Sequence, residues 1–143
     1  MTLVIDASVA LTWCFEDERR PETDAIGQRV LDETAIVPSL FHLELANILL
    51  VGERRKRITQ ADAEQRLERM ERMQLAVDDE TVSQAWSVIT DLARSERLTA
   101  YDAAYLELAL RLGLPLATLD RDLAAAARRR GVTVLPKSRW SAL

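Results

Sequence analysis

Short apolar runs alternate along the chain with longer segments of helical period. Thr2 to Ile5, Ala35-Ile36-Val37, Leu75-Ala76-Val77, Leu116-Ala117-Thr118 and Val132-Thr133-Val134-Leu135 are brief and rich in β-branched residues, the pattern of strands buried on both faces. Between the third and fourth runs, Val82, Ala85, Trp86, Ile89, Leu92 and Ala93 follow i, i+3, i+4, i+7 spacing, which predicts an amphipathic helix with those residues on its buried side. Strands alternating with helices call for right-handed crossovers, and so for an α/β fold. The expected architecture is a three-layer α/β/α sandwich around a central, mostly parallel, five-stranded sheet. Periodicity does not fix the strand order. No linker or internal repeat interrupts the pattern, so residues 1–143 are expected to form a single domain.

Composition narrows this picture. An apolar fraction of 48% is enough for a core, and 29% charged residues with four glycines and four prolines exclude a fibrous or low-complexity chain. One cysteine, Cys14, and one histidine, His42, make neither a disulfide nor a zinc motif. The N-terminus lacks a signal-peptide pattern and no run approaches the ~20 apolar residues of a membrane span, so the expected location is the cytoplasm, with no membrane partner. The net charge of −4 speaks against binding nucleic acid through bulk charge. Basic residues nevertheless cluster in Arg54-Arg55-Lys56-Arg57, in Arg128 to Arg130, and at helical spacing in Arg66, Arg69 and Arg72.

The acidic residues stand in more telling places. Asp6 follows the first strand, where open α/β sheets place their chemistry, although a helix N-cap would use an aspartate equally well. Glu44 lies in the segment from Leu40 to Val51, whose only other polar residues are His42 and Asn47. A carboxylate there is partly buried and needs a cation, a hydrogen-bond network or a raised pKa. Asp102 follows a Thr99 cap. At about 100° per residue it points roughly 140° away from Glu107 and 180° from Arg111, and so faces inward with Tyr105, Leu106 and Ala109. Asp120 and Asp122 follow the fourth strand, with Asp120 nearer to it. Carboxylates that converge repel one another. With no His or Cys among them, a hard cation such as Mg²⁺ or Mn²⁺ resolves the repulsion.

These residues carry a resemblance. Val4-Ile5-Asp6-Ala7-Ser8, Glu44 with Asn47, Leu98-Thr99-Ala100-Tyr101-Asp102-Ala103-Ala104-Tyr105 and Ala117-Thr118-Leu119-Asp120-Arg121-Asp122 match in order and spacing a PIN domain of the VapC type, the toxin half of bacterial toxin-antitoxin pairs. The resemblance covers essentially the whole chain. It implies a metal-dependent endoribonuclease whose acidic quartet is Asp6, Glu44, Asp102 and Asp120, all candidate metal ligands for Mg²⁺ or Mn²⁺. Ser8 would assist beside Asp6, Asn47 would support the pocket, and Asp122 would be a helper. It also implies an RNA substrate, a cognate VapB-type antitoxin, a homodimer, and inhibition of translation and growth. Arg54, Arg55, Lys56 and Arg57 are candidates for guiding RNA, against the plain alternative of a solvated helix end.

Three other readings compete. A haloacid-dehalogenase-like phosphatase requires a second Asp where Ser8 stands. A phospho-receiver domain requires a late lysine that neither Lys56 nor Lys137 provides. A catalytically silent PIN-like module that binds RNA or protein would be signalled by a missing carboxylate, and none is missing. Trp13, Trp86, Trp140, Met70, Met73 and Cys14 are expected to be packing residues.

Overall fold

The computed structural model of the protein describes residues 2–140, so Met1 and residues 141–143 of the expected domain lie outside the described residues. The strands are β1 (Val4–Ile5), β2 (Ile36–Pro38), β3 (Ala76–Asp78), β4 (Leu116–Ala117) and β5 (Val134–Leu135), one for each apolar run. They form a single sheet of order β3-β2-β1-β4-β5 in which every pair is parallel. Leu3, Val4 and Ile5 have no accessible surface, because a central parallel strand is covered on both sides.

The helices α1 (Ala7–Cys14), α2 (Pro21–Asp32), α3 (Leu40–Arg54) and α4 (Gln60–Glu71) carry the chain from β1 out to β3 and pack on one another. The chain then reverses direction through α5 (Thr81–Gln84), α6 (Thr90–Glu96) and α7 (Ala100–Leu112), which crosses β2 and β1 to reach β4. Helix α8 (Arg121–Arg129) packs on α7 and leads to β5, and α9 (Lys137–Trp140) lies against β5. Right-handed crossovers in opposite directions put the two helix sets on opposite faces. Strand order therefore reverses between β1 and β4, and in such a sheet a crevice opens outside the carboxyl ends of those two strands.

Two expectations need correction. The segment from Val82 to Ala93 is helical, and Ile89 and Leu92 are buried as expected, but Val82 is 82% and Trp86 97% exposed. The cause is a π-helical turn over Ala85–Ile89, at which the Thr90 hydroxyl donates to the Ala85 carbonyl at 2.5 Å. A π turn takes an extra residue per turn and shifts the phase of every side chain before it relative to those after it. Trp86 thus leaves the core that Trp140 enters and that Trp13 packs against.

The second correction concerns Glu107. Its polarity suggested a solvent-facing position, yet it is 3% exposed. It accepts from Arg111 Nε at 2.7 Å, while Arg111 also reaches Asp78 Oδ2 at 2.8 Å and Glu80 Oε2 at 2.7 Å. Helix α7 is buried nearly all round from Ala103 to Ala109, and this cluster ties its far end to the end of β3. The Arg111 guanidinium holds Asp78 below the usual carboxylate range.

Removing Arg111 leaves two buried carboxylates unpaired, which typically costs about 3–5 kcal/mol. Arg111→Met should therefore lower unfolding free energy at pH 7 by about 3 kcal/mol in urea titrations, and a loss under about 1 kcal/mol would show that the cluster is not holding α7 to β3.

Candidate active site

Asp6 leaves β1 and becomes the N-cap of α1 with no loop between them. It is 4% exposed. Its Oδ1 accepts from the Val9 backbone N–H at 3.3 Å and from the Ser8 hydroxyl at 2.6 Å, and its Oδ2 accepts from the Thr118 hydroxyl at 2.6 Å. The same two hydroxyls then accept from the next strand's exit: Ser8 Oγ from the Leu119 N–H at 2.8 Å, and Thr118 Oγ1 from the Asp120 N–H at 3.0 Å. Asp120 in turn caps α8 through Oδ1, which accepts from the Leu123 N–H at 2.9 Å. The capping alternative for Asp6 is thus realised, and Asp120 caps α8 in the same way. The two caps do not compete with a site, since they aim both carboxylates at the carboxyl edge of the sheet.

The other two carboxylates arrive from helices that begin at that edge. Glu44, in the second turn of α3, is half-buried, and its Oε1 accepts from the Tyr105 hydroxyl at 2.6 Å. Asp102 lies in the first turn of α7, where its N–H donates to the Thr99 hydroxyl at 3.1 Å. Asp122 is exposed on the first turn of α8.

Electrostatics show that these groups share one space. Burial raises the Asp6 carboxyl to about 6, against the hydrogen bonds from Ser8, Thr118 and Val9, and the nearby Asp102 adds to the rise. Burial likewise raises Asp102 to about 6, followed by repulsion from Asp120 and Glu44, with a smaller share from Asp122. Glu44 is raised by burial and lowered by the Tyr105 bond. The Tyr105 hydroxyl is pushed far up by burial and then by Glu44, with Asp6 and Asp102 contributing. Among the described residues, none of these five carboxylates forms an ion pair with Arg, Lys or His. The donors around them are hydroxyls and backbone N–H groups, all neutral.

Such an arrangement suits a hard divalent cation. Oxygen-only donors match Mg²⁺ or Mn²⁺, and the carboxyls are raised first by burial and then by their mutual repulsion, with no ion pair to an Arg, Lys or His among the described residues. Among the described residues, no group of three or more His, Cys, Asp or Glu side chains is placed so that together they could hold a metal ion. Mg²⁺ keeps waters and substrate phosphates as ligands and takes only one or two carboxylates, so a pair from this set would suffice to hold it.

The remaining candidates fall into place around this centre. Ser8 stands beside Asp6 as expected. Asn47 is exposed, one turn along α3 from Glu44. Arg54 lies ten residues beyond Glu44, about 15 Å along the helix axis and away from the crevice. Arg57 is committed elsewhere, to Asp17 at 3.1 Å and Glu18 at 3.8 Å and to the face of Phe15 at 4.3 Å, whereas Arg54, Arg55 and Lys56 are exposed. Two residues of the crevice carried no signal as site residues. Thr118 reads as an ordinary β-branched strand residue, and Tyr105 as part of an apolar helix face. What marks them is position, two residues before Asp120 and one turn after Asp102.

The chain resembles known proteins over most of its length. Residues 3–129 match the family model of the PIN domain. Ribonuclease VapC3 of Pyrobaculum aerophilum is 30% identical over 124 residues, which cover 87% of this chain and 93% of that protein. Among solved structures, PAE2754 from Pyrobaculum aerophilum superposes with a TM-score of 0.71 at 23% identity, covering 100% of this chain and 97% of that one. FitAcB from Neisseria gonorrhoeae gives 0.61 at 18% identity, covering 93% and 96%.

The raised carboxyls make a stability prediction. A carboxyl with a folded pKa near 6 and an unfolded value near 3.8 binds more protons in the native state between those values, so its contribution is full below about 4 and lost as pH rises through 6. Asp6 alone accounts for on the order of 2–3 kcal/mol. The metal-free protein should therefore lose thermal stability between pH 5 and pH 7, and Asp6→Asn with Asp102→Asn should flatten that slope. A metal-free Tm that rises over the interval would contradict the raised Asp6 and Asp102 carboxyls.

Proposed function

Because the chain belongs to the PIN-domain family and is of the VapC type, we propose that it is a metal-dependent endoribonuclease, the toxin of a VapBC-type toxin-antitoxin pair that acts in the cytoplasm to inhibit translation and growth. The observation that carries this reading is the un-neutralised set of Asp6, Glu44, Asp102 and Asp120, drawn from four elements of the fold to one edge of the sheet. Structural carboxylates in the same chain are treated differently: Asp78, Glu96 and Glu107 are each paired with arginine. A cluster left negative at the cost of stability fits a cation-binding role.

In this reading Asp6 and Asp102 are the direct ligands, and Glu44 and Asp120 complete the site or hold the attacking water in line with the scissile phosphorus. When bound, Mg²⁺ or Mn²⁺ supplies the positive charge that activates the water and offsets charge developing on the leaving oxygen. Ser8 and Thr118 fix both oxygens of Asp6, so that the carboxylate does not swing as substrate arrives. Asp120 is held by its capping bond, and Asp122 adds negative charge at the rim. RNA approaches a crevice that is repulsive until cations fill it. Arg54, Arg55 and Lys56, on the far end of α3, contribute long-range attraction rather than contacts at the scissile bond.

The partners follow from the same family reading: an RNA substrate, a VapB-type antitoxin that blocks the crevice, and a second copy of the chain. The phase shift at the π turn supports the dimer, for it presents Trp86 and Val82 to solvent, and Leu43 on α3 is also exposed. A tryptophan buries about 150–250 Å² when covered, which is a strong anchor for an interface. Among the described residues, no helix is long and apolar enough to cross a membrane.

Purified protein incubated with a mixed cellular RNA pool should cut it with Mg²⁺ or Mn²⁺ and not with EDTA, and an Asp6→Asn, Asp102→Asn double variant that folds should lose cleavage at least about 100-fold. Lack of cleavage under either metal, from protein verified free of antitoxin, would instead support a silent binding module. For the dimer, Trp86→Glu should shift the sedimentation coefficient from dimer to monomer while the far-UV circular dichroism spectrum stays that of the folded chain, and an unchanged dimer would place the interface elsewhere.

A further inference from the structure

Tyr105 sits one turn after Asp102 on α7 and is 1% exposed. Its hydroxyl donates to Glu44 Oε1 at 2.6 Å and so joins α7 to α3 across the crevice. A phenylalanine would fill the same space without burying a polar oxygen, and desolvating a hydroxyl is offset only where it makes a hydrogen bond. The choice of donor also matters. An arginine in this place would orient Glu44 and neutralise it, as Arg111 does for Asp78 and Glu107. A phenol orients the carboxylate and leaves its charge in place. The bond uses one lone pair of Oε1, which leaves the other acceptor sites of the carboxylate available to a cation.

We propose that Tyr105 is a positioning residue that holds the Glu44 carboxylate toward the crevice and thereby sets the affinity of the site for a divalent cation. The inference rests on the metal-dependent reading above. Groups that hydrogen-bond a ligating side chain commonly change metal affinity about 10–100-fold when removed. Thr118 acts on Asp6 by the same kind of neutral donation, but across the sheet rather than between helices.

The test is a calorimetric titration of Mn²⁺ into the metal-free wild type, Tyr105→Phe, Glu44→Gln and the double variant. Tyr105→Phe should raise the Mn²⁺ Kd about 10-fold. In the Glu44→Gln background the same change should alter Kd less than about 2-fold, because its effect passes through Glu44. Should Glu44→Gln leave no measurable binding, Glu44→Asp is the alternative background, one methylene too short to keep the 2.6 Å bond. An unchanged Kd in Tyr105→Phe, or an equal loss in both backgrounds, overturns the positioning role while leaving the metal reading intact. No Mn²⁺ binding by the wild type overturns both.

Discussion

The Asp6 carboxylate, buried between the exits of two adjacent parallel strands, is the group around which the rest of the molecule is arranged. It stands at the point where strand order reverses, so α1 and α8 both start beside it and the crevice mouth opens above it. Its burial is unfavourable for a charge. Three neutral donors, the Ser8 and Thr118 hydroxyls and the Val9 N–H, reduce that cost without cancelling the charge. The two hydroxyls also accept from the Leu119 and Asp120 N–H groups, so one network orients Asp6 and fixes the β4 exit from which Asp120 projects.

Two acidic clusters in this chain make opposite use of similar residues. Around Arg111, three carboxylates meet one guanidinium, and the result is a clamp between α7 and β3. At the crevice, the carboxylates meet only neutral donors, and burial, with repulsion between the carboxylates added to it, raises Asp6 and Asp102 to about 6. Helix α7 links the two: its first turn supplies Asp102, its second supplies Tyr105, and its last supplies Arg111. The clamp at one end keeps the helix in the register that the other end requires. Stability at one end thus supports a strained electrostatic arrangement at the other.

The π turn in the α5–α6 region illustrates a different trade. An uninterrupted α-helix would have put Trp86 and Val82 in the core, as the i, i+3, i+4 spacing predicts. The extra residue in the turn keeps Ile89 and Leu92 inside while moving Trp86 out. An exposed tryptophan is unfavourable in a monomer and useful at an interface.

Much of this was legible along the chain. The five apolar runs match the five strands to within two residues at their ends, because buried parallel strands need continuous apolar stretches, but the expected burial fails at the edge strand β3, where Val77 is 49% exposed. Asp6, Glu44, Asp102 and Asp120 stood out as candidates because each is a carboxylate where a strand ends or where apolar residues surround it. Local chemistry sufficed there. Tertiary structure alone decided the rest. Strand order depends on which crossovers pack, and the spacing of apolar runs carries no record of that. Glu107 looked solvent-facing and is buried: its i+4 neighbour Arg111 is turned by packing toward Asp78, 33 residues away in sequence, rather than toward solvent. Thr118 and Tyr105 became part of the site only when folding brought them 112 residues from Asp6 in one case and 61 from Glu44 in the other. Hydrogen bonds over such separations join side chains whose own sequence contexts are those of a strand and a core helix, and only the closed fold gives them a different role.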